Sequence, residues 1–158
     1  INSLAVVRPD IIEVGAKALG RQCIVLGMDP IQNDDIAKFP SGYEVTTHGC
    51  RQRTGMDAVV WAKRAVELGV GEIVVNSVDR DGTRDGFELT ITGMIADAVD
   101  VPVVASGGAG NAQHLAEVFV QSHADAAIVA GILHTGLYTI QQIKDELNHS
   151  GIAIRKSV

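Results

Sequence analysis

Short apolar runs alternate with helical patterns along almost the whole chain of 158 residues. Each run is rich in Val, Ile and Ala and closes on glycine or a polar residue, which is typical of a strand buried on both faces. Helical patterns fit between the runs, and this order favours an α/β fold with parallel strands joined by right-handed crossovers. Four such strands suit either a small open sheet or half of an eight-stranded barrel. The predicted strands are QCIVLGMD (22–29), GEIVVNS (71–77), VPVVASGG (101–108) and ADAAIVAG (124–131).

The predicted helices have recognisable ends. Pro9 suits the first position of a helix that stops at Gly20, and Thr54 with Asp57 resembles a capping box for a helix that stops at Gly69. The longest loop, 30–53, has no helical pattern, and its 42–47 core suits a small hairpin. Further helices are predicted at 90–99, 111–121 and 139–149.

Length and composition predict one globular domain spanning 1–158. The net charge is −6 and no basic stripe occurs, so the sequence argues against nucleic-acid binding. No apolar run has the length of a membrane span. Cys23 and Cys50 lack the spacing of a zinc site, the histidines show no metal spacing, and a reducing cytoplasm is the expected location. We expect no metal and no cofactor.

Polar residues and glycines stand where each predicted strand ends. Because parallel strands present their carboxyl ends on one face, we expect these positions to converge there. The glycine-rich turn after the third strand can bring backbone N–H groups close to an anion, although its glycines could serve only a tight turn. A short segment from Gly131 to His134 follows the fourth strand, and the two neighbouring elements favour phosphate binding. The positions are Asp29, Asn76, Ser77, Ser106-Gly107-Gly108 and Ala130-Gly131.

The segment SVDRDGTRDG (77–86) puts three aspartates directly after an apolar strand. A solvated turn is the simplest interpretation of such a loop. We instead predict that Asp81 pairs with Asp29 in acid–base chemistry, since a carboxylate beside a desolvated ligand can have its pKa tuned for proton transfer. Asp79 and Asp85 are interpreted as structural residues of the loop. Glu72, at the entry end of its strand, is on general grounds a solvent-facing residue.

The order and spacing of several segments resemble the cyclase subunit of imidazole glycerol phosphate synthase, from histidine biosynthesis. The resemblance implies a (β/α)₈ (TIM) barrel, of which this chain is the part from the tail of strand four onward. Barrel strands five to eight would then be the four parallel strands, and strands one to three with most of strand four would be absent. The segments are INSLAVVRPDII, QCIVLGMD, GEIVVNSVDRDGTRDGFEL, VPVVASGGAGNAQHLAE, ADAAIVAGILH and ELNHSGIAIR.

The resemblance also implies a substrate and a partner. The substrate carries a phosphate at each end, as a phosphoribulosyl-formimino aminoimidazole carboxamide ribonucleotide, and ammonia comes from a glutaminase subunit in a heterodimer. The products are imidazole glycerol phosphate and aminoimidazole carboxamide ribonucleotide. By position, Asp29 matches a catalytic aspartate, Asp81 a supporting one, and Glu72 a charged gate at the bottom of the barrel. Asn76 and Ser77 match residues that line the substrate. One phosphate-binding site of the family matches Ser106, Gly107, Gly108, Ala130 and Gly131.

Two departures from the family pattern affect this site. Pro30 follows Asp29 where a small residue is usual, and Gly131 stands where a serine is usual. Since the resemblance places a partner aspartate on the absent first strand, we expect the isolated chain to be inactive or nearly so. We also expect it to self-associate, because a four-stranded sheet leaves two unpaired edges. The alternatives are the related phosphoribosyl-formimino isomerase and a non-catalytic, phosphate-binding half-barrel.

Overall fold

A computed structural model describes residues 1–155 of the chain. Within them, one sheet of six strands runs through the molecule. The strands are β1 (Val25–Gln32), β2 (Tyr43–Thr47), β3 (Gln52–Asp57), β4 (Glu72–Asn76), β5 (Val103–Ser106) and β6 (Ala126–Ile128). Their order across the sheet is β3-β2-β1-β4-β5-β6. The pairs β1–β4, β4–β5 and β5–β6 are parallel, and β1–β2 and β2–β3 are antiparallel.

Helices connect the parallel strands, as the alternating pattern predicted. They are α1 (Ser3–Val7), α2 (Asp10–Leu19), α3 (Ala58–Leu68), α4 (Leu89–Ala96), α5 (Ala112–Gln121), α6 (Gly131–His134) and α7 (Ile140–His149). A 3₁₀ turn at Arg21–Cys23 leads from α2 into β1. No helix in the described part of the chain is both long and apolar enough to cross a membrane.

All four predicted parallel strands are present, but the prediction of a four-stranded sheet is incomplete. The loop 30–53 supplies β2 and the start of β3, which pair antiparallel beside β1. Because β1 pairs with β2 at Asp29↔Thr46 and Pro30↔Val45, it continues three residues past Asp29. The fold is thus α/β with a six-stranded, mostly parallel sheet. Pro30 lies within β1 and its carbonyl accepts a hydrogen bond from the Val78 N–H at 3.0 Å.

Two helix starts differ from the sequence prediction. Helix α3 begins after Asp57, whose side chain accepts hydrogen bonds from the N–H groups of Val59 and Val60. The predicted capping box is wrong because Thr54 lies in β3 and donates its hydroxyl to the Val45 carbonyl at 2.7 Å. Helix α1 was not predicted, since its five residues are too few to show a helical period.

The hydrophobic core forms two clusters. The larger one joins β1, β4 and β5 to helices α2, α3 and α4, and the smaller one joins β5 to α5, α6 and α7. Completely buried members of the larger cluster include Leu26, Ile73, Val103, Ile12 and Ile91. The smaller cluster includes Ala105, Val118, Leu115, Ile132 and Ile143.

Among the described residues, β6 pairs only with β5 and β3 only with β2, so each forms an edge of the sheet. On β6, Ile128 is 47% exposed. Such an edge offers unpaired backbone groups beside an apolar side chain, which favours pairing with another chain. The expected self-association stays a prediction.

Glu44 links β2 to β3 and to the loop before β2. It is a buried residue whose Oε1 accepts from the Gly55 N–H at 2.8 Å. Its Oε2 accepts from Asn33 Nδ2 at 2.9 Å and from Arg53 Nη1 at 3.1 Å. Burial by itself raises the pKa of Glu44, but the hydrogen bonds from Gly55, Asn33 and Arg53 hold that pKa below its usual value overall. The hairpin is therefore built around an ionised carboxylate.

Replacing Glu44 tests this role. A depressed pKa in the folded state adds stability that is complete above the unfolded pKa and is lost as the pH falls through the folded one. We expect Glu44→Gln to lower the free energy of unfolding at pH 7 by about 1–3 kcal/mol, and the difference to shrink below about pH 4. Urea unfolding between pH 3 and 7 measures both. The control is Glu67→Gln, which removes an exposed carboxylate paired with Arg64; equal midpoints for the two variants at pH 7 would contradict the assignment.

Candidate acid–base and phosphate site

The register of the parallel strands sets one row of polar residues at the carboxyl edge of the sheet. Asn76 of β4 lies opposite Ser106 of β5, and Ser106 lies opposite Ile128 of β6. One row earlier, Met28 lies opposite Val75, so Asp29 follows directly beside Asn76. The predicted convergence of these strand ends is present in the backbone pairing itself.

Asp29 is held by an amide on each side. Its Oδ1 accepts from Asn76 Nδ2 at 3.2 Å, and its Oδ2 accepts from Asn2 Nδ2 at 2.9 Å. Thr46 fixes the same position from β2 by donating its hydroxyl to the Asp29 carbonyl at 2.8 Å. Since Asp29 is only 7% exposed, these contacts fix the carboxylate plane while keeping most water away from it.

Asn2 reaches Asp29 because the start of the chain lies alongside β1. The Ile1 carbonyl accepts from the Gly27 N–H at 2.9 Å, and the Ile1 amino group donates to the Val25 carbonyl at 2.6 Å. Gly27 also leaves room for this neighbour, since a Cβ built on it would lie 3.6 Å from Asn2 Cβ. No local sequence pattern indicates Asn2 as a partner of Asp29, because 27 residues separate the two.

The charged loop after β4 is anchored at several points. Asp79 accepts from the Gln32 N–H at 2.8 Å, at the end of β1. Arg80 pairs at 3.5 Å with the buried Glu88, which caps helix α4. Asp79 therefore has the structural role that the sequence predicted, and the loop is fixed to both neighbouring elements.

Asp81 is the carboxylate of this loop that lines a pocket. Its N–H donates to the Ser77 carbonyl at 3.0 Å, which closes the turn after β4. Its side chain is exposed and has no hydrogen bond or ion pair within residues 1–155. Asp81 is thus positioned by its backbone while its carboxylate stays free for a ligand.

The glycine-rich turn after β5 packs directly against the charged loop. Gly107 and Gly108 have φ of +87° and +99°, which L side chains rarely adopt. A Cβ on Gly107 would lie 3.1 Å from the Ser77 carbonyl oxygen and 3.3 Å from Asp81 Cα, and one on Gly108 would overlap the Gly86 carbonyl. The Gly86 N–H in turn donates to the Gly108 carbonyl at 2.8 Å. These two glycines are required by the packing of the two loops, whatever else they bind.

A pocket of about 220 Å³ opens between the two loops. It places Asp81 against the glycine turn and the residues after β6, where the short helix α6 begins at Gly131. No side chain of this pocket belongs to Asp29, Asn76 or Ser77: Asn76 instead holds Asp29, and Ser77 is buried with a hydroxyl that has no partner among the described residues. The lining residues are Asp81, Gly82, Arg84, Ser106, Gly107, Gly108, Ala109, Ile128, Ala130 and Gly131.

The pKa of the Cys50 thiol is affected by the charges at this edge of the sheet. Burial raises the pKa of Cys50, and the charges of Asp29 and Asp81 raise it further, against a hydrogen bond with Thr46. Both aspartates therefore act on one thiol in the turn between β2 and β3. Cys50 and Cys23 are free thiols, and no group of side chains suited to a metal ion occurs within residues 1–155.

Glu72 lies at the opposite end of the sheet from this site. It is the first residue of β4 and pairs with Val25, four residues before Asp29. At the usual rise of a strand, that separation is about 13 Å. Glu72 is half-buried and has no ion pair or hydrogen bond within the described range, and it lies at the entry end of the strands, away from Asp29.

A larger apolar cavity, of about 510 Å³, lies beside β6 between α5, α7 and the segment 152–155. Its walls include Leu115, Phe119, Ile143 and Leu147. None of the predicted site residues lines it, although the charged residues Asp125, Lys144 and Arg155 also belong to its walls. The predicted phosphate-binding residues therefore lie at the smaller pocket and not at this cavity.

Comparison with known proteins gives the family of this chain. The model of the family described as histidine biosynthesis protein matches residues 1–139. The chain belongs to this family. A relative from Desulforapulum autotrophicum, named imidazole glycerol phosphate synthase subunit HisF, is 51% identical over 157 residues, which are 99% of this chain and 61% of the relative.

Two further relatives carry the same name. The one from Syntrophobacter fumaroxidans is 52% identical over 157 residues, covering 99% of this chain and 61% of the relative. The one from Nitratidesulfovibrio vulgaris is 51% identical over 155 residues, covering 98% and 60%. The chain therefore spans about three fifths of the length of the histidine biosynthesis proteins that it matches.

Two glycines of the site make a matched test of the loop packing in this family member. Gly108→Ala puts a Cβ into the Gly86 carbonyl at a positive φ, whereas a Cβ on Gly131 meets nothing within 4 Å. We expect Gly108→Ala to lower the free energy of unfolding by more than about 1 kcal/mol, and Gly131→Ala to change it by less than about 0.5 kcal/mol. Urea unfolding of both variants measures this. Equal stabilities would mean that the two loops do not pack as described.

Proposed function

We propose that this chain is the carboxyl-terminal part of an imidazole glycerol phosphate synthase cyclase, acting in histidine biosynthesis. The observation that carries the proposal is the placement of Asp29, whose carboxylate two amides hold on the same edge of the sheet as a pocket that combines Asp81 with a glycine-rich turn. Membership of the histidine biosynthesis family and the name of the relatives support it.

In this proposal the parallel strands β1, β4, β5 and β6 are strands five to eight of a (β/α)₈ barrel. The chain 1–158 is then one domain's carboxyl-terminal part, and β2 with β3 is a hairpin in the loop after the fifth strand. The exposed edge at β6 supports this arrangement, because a closed barrel would pair that edge with its first strand. Active sites of such barrels lie at the carboxyl ends of the strands, where Asp29 and Asn76 lie.

The proposed substrate is a phosphoribulosyl-formimino aminoimidazole carboxamide ribonucleotide, and the second reactant is ammonia. Ammonia addition, ring closure and C–N bond cleavage each move a proton, so a fixed carboxylate beside the reacting atoms can act as base and then as acid. Asp29 suits this role because amides hold both of its oxygens and little water reaches it. Asp81, whose carboxylate has no partner in the described part of the chain, supports it from the facing loop.

One phosphate of that substrate would bind in the 220 Å³ pocket. Gly107 and Gly108 line this pocket without Cβ atoms, so a ligand can approach their backbone N–H groups closely, and nothing lies within 4 Å of the Cβ position of Gly131. Backbone donors bind a phosphate without a cluster of lysines. In this proposal Asn76 orients Asp29 and does not contact the phosphate. Ser77 holds the backbone of Asp81 through its carbonyl.

The partner of the proposed enzyme is a glutaminase subunit that supplies ammonia. Glu72 is the proposed gate, because it lies at the entry end of the strands with no partner for its carboxylate within residues 1–155. Ammonia entering at that end would pass along the strands toward Asp29. The synthase name of the relatives favours this cyclase over the related isomerase, which needs no ammonia.

A chimaera tests the proposal directly. We join this chain to the amino-terminal part of the Desulforapulum autotrophicum relative and measure turnover of the bis-phosphorylated substrate with ammonium salts. We expect ammonia-dependent formation of imidazole glycerol phosphate, and a loss of about 10²–10⁴-fold with Asp29→Asn, because the amide keeps the shape but cannot transfer the proton. Asp97→Asn, in an exposed pair with His123, is the control and should retain activity.

Three outcomes would contradict the proposal. A folded chimaera without turnover favours a non-catalytic phosphate-binding module, and isomerisation without ammonia favours the isomerase. An Asp29→Asn chimaera as active as the control would remove Asp29 from the mechanism.

A further inference from the structure

Arg84 lies in the wall of the pocket that faces the glycine turn. Its sequence context does not indicate a ligand-binding role, because an arginine in a charged loop is usually solvated. Its backbone has φ of +65°, which is uncommon for any residue other than glycine. A side chain held in this conformation requires a surrounding structure that fixes it.

The neighbouring turn fixes the backbone of Arg84 from two directions. Thr83 donates its N–H and its hydroxyl to the Arg80 carbonyl, at 3.0 and 2.8 Å, and its hydroxyl accepts from the Asp85 N–H at 3.2 Å. On the other side, a Cβ on Gly110 would overlap the Arg84 carbonyl and lie 3.2 Å from Arg84 Cβ. The backbone of Gly110 therefore packs directly against Arg84, as the backbone of Gly108 packs against Gly86.

The guanidinium of Arg84 has no hydrogen bond or ion pair within residues 1–155. Several other arginines in the described part of the chain pair with carboxylates, as Arg53 does with Glu44, Arg64 with Glu67 and Arg80 with Glu88. An unpaired arginine on an ordered backbone beside a polar pocket keeps its donors available for an anionic ligand.

The negative charge of Asp81 in the pocket favours a nearby cation if the pocket binds a phosphate. Asp81 lines the same pocket with an unpaired carboxylate, and the whole chain carries a net charge of −6. A phosphate entering there meets backbone donors, which are neutral, and a negative charge that repels it. A guanidinium offsets that charge and binds a phosphate through two parallel N–H···O bonds.

We infer that Arg84 binds the phosphate of the substrate in this pocket and compensates the charge of Asp81. The inference rests on the proposed phosphate site and adds to it a side chain that the glycine turn alone does not supply. Arg84 is a binding residue here, and it takes no part in proton transfer.

Titration of the 158-residue chain with inorganic phosphate, followed by ³¹P NMR, tests the inference. Arg84→Asn removes the cation with a residue that tolerates a positive φ, and we expect it to weaken phosphate binding by at least about tenfold. Arg84→Lys keeps the charge but not the paired donors and should show a smaller loss. Arg64→Gln on α3 removes the same charge outside the pocket and should bind as the unsubstituted chain does.

The outcomes separate the two claims. Equal phosphate affinity in Arg84→Asn and the unsubstituted chain would overturn the role of Arg84 and leave the phosphate site in place. An unsubstituted chain that does not bind phosphate would overturn both. An equal loss in Arg64→Gln would assign the effect to net charge and not to Arg84. Thermal unfolding of each variant shows whether a loss of binding reflects a loss of structure. If Arg84→Asn is unfolded, the phosphate affinity of Arg84→Lys relative to the unsubstituted chain tests the role of Arg84 in its place.

Discussion

The in-register parallel pairing of β1, β4 and β5 is the constraint on which the site depends. It sets Asp29, Asn76 and Ser106 in adjacent positions along one row, so that an amide reaches a carboxylate without any loop having to close. A shift of one residue in the pairing of any of these strands would turn its site residue (Asp29, Asn76 or Ser106) to the opposite face of the sheet. The buried core beneath, with Leu26, Ile73 and Val103, opposes such a slip because it would bring polar residues inward.

The second element of the site is the packing of two loops against each other. The glycine turn after β5 and the charged loop after β4 approach so closely that Cβ atoms at Gly108 and Gly110 would overlap carbonyl groups of the other loop. The same lack of side chains leaves a pocket between them. One set of glycines thus explains both the close packing of the two loops and the space for an anion, so glycines alone do not distinguish a tight turn from a binding site.

Sequence patterns predict those parts of the molecule that local chemistry determines. The parallel strands follow from β-branched runs, and the convergence of Asp29, Asn76 and Ser106 follows from the crossover rule. Strand β3 was not predicted, because its residues QRTGMD are mostly polar and their pairing depends on β2. Asn2 and Arg84 were missed for a similar reason: Asn2 acts 27 residues along the chain, and Arg84 gains its position from Gly110 on another loop.

The central claim is that the carboxyl ends of these strands and the two loops after β4 and β5 form one ligand site. A crystal structure of the 158-residue chain with bound inorganic phosphate tests it most directly. The account predicts the phosphate between the N–H groups of Gly107 and Gly108 and the Arg84 side chain, with Asp29 still held by Asn76 on the same edge. Phosphate bound elsewhere, or an Asp29 carboxylate turned away from Asn76 and the carboxyl edge, would contradict it.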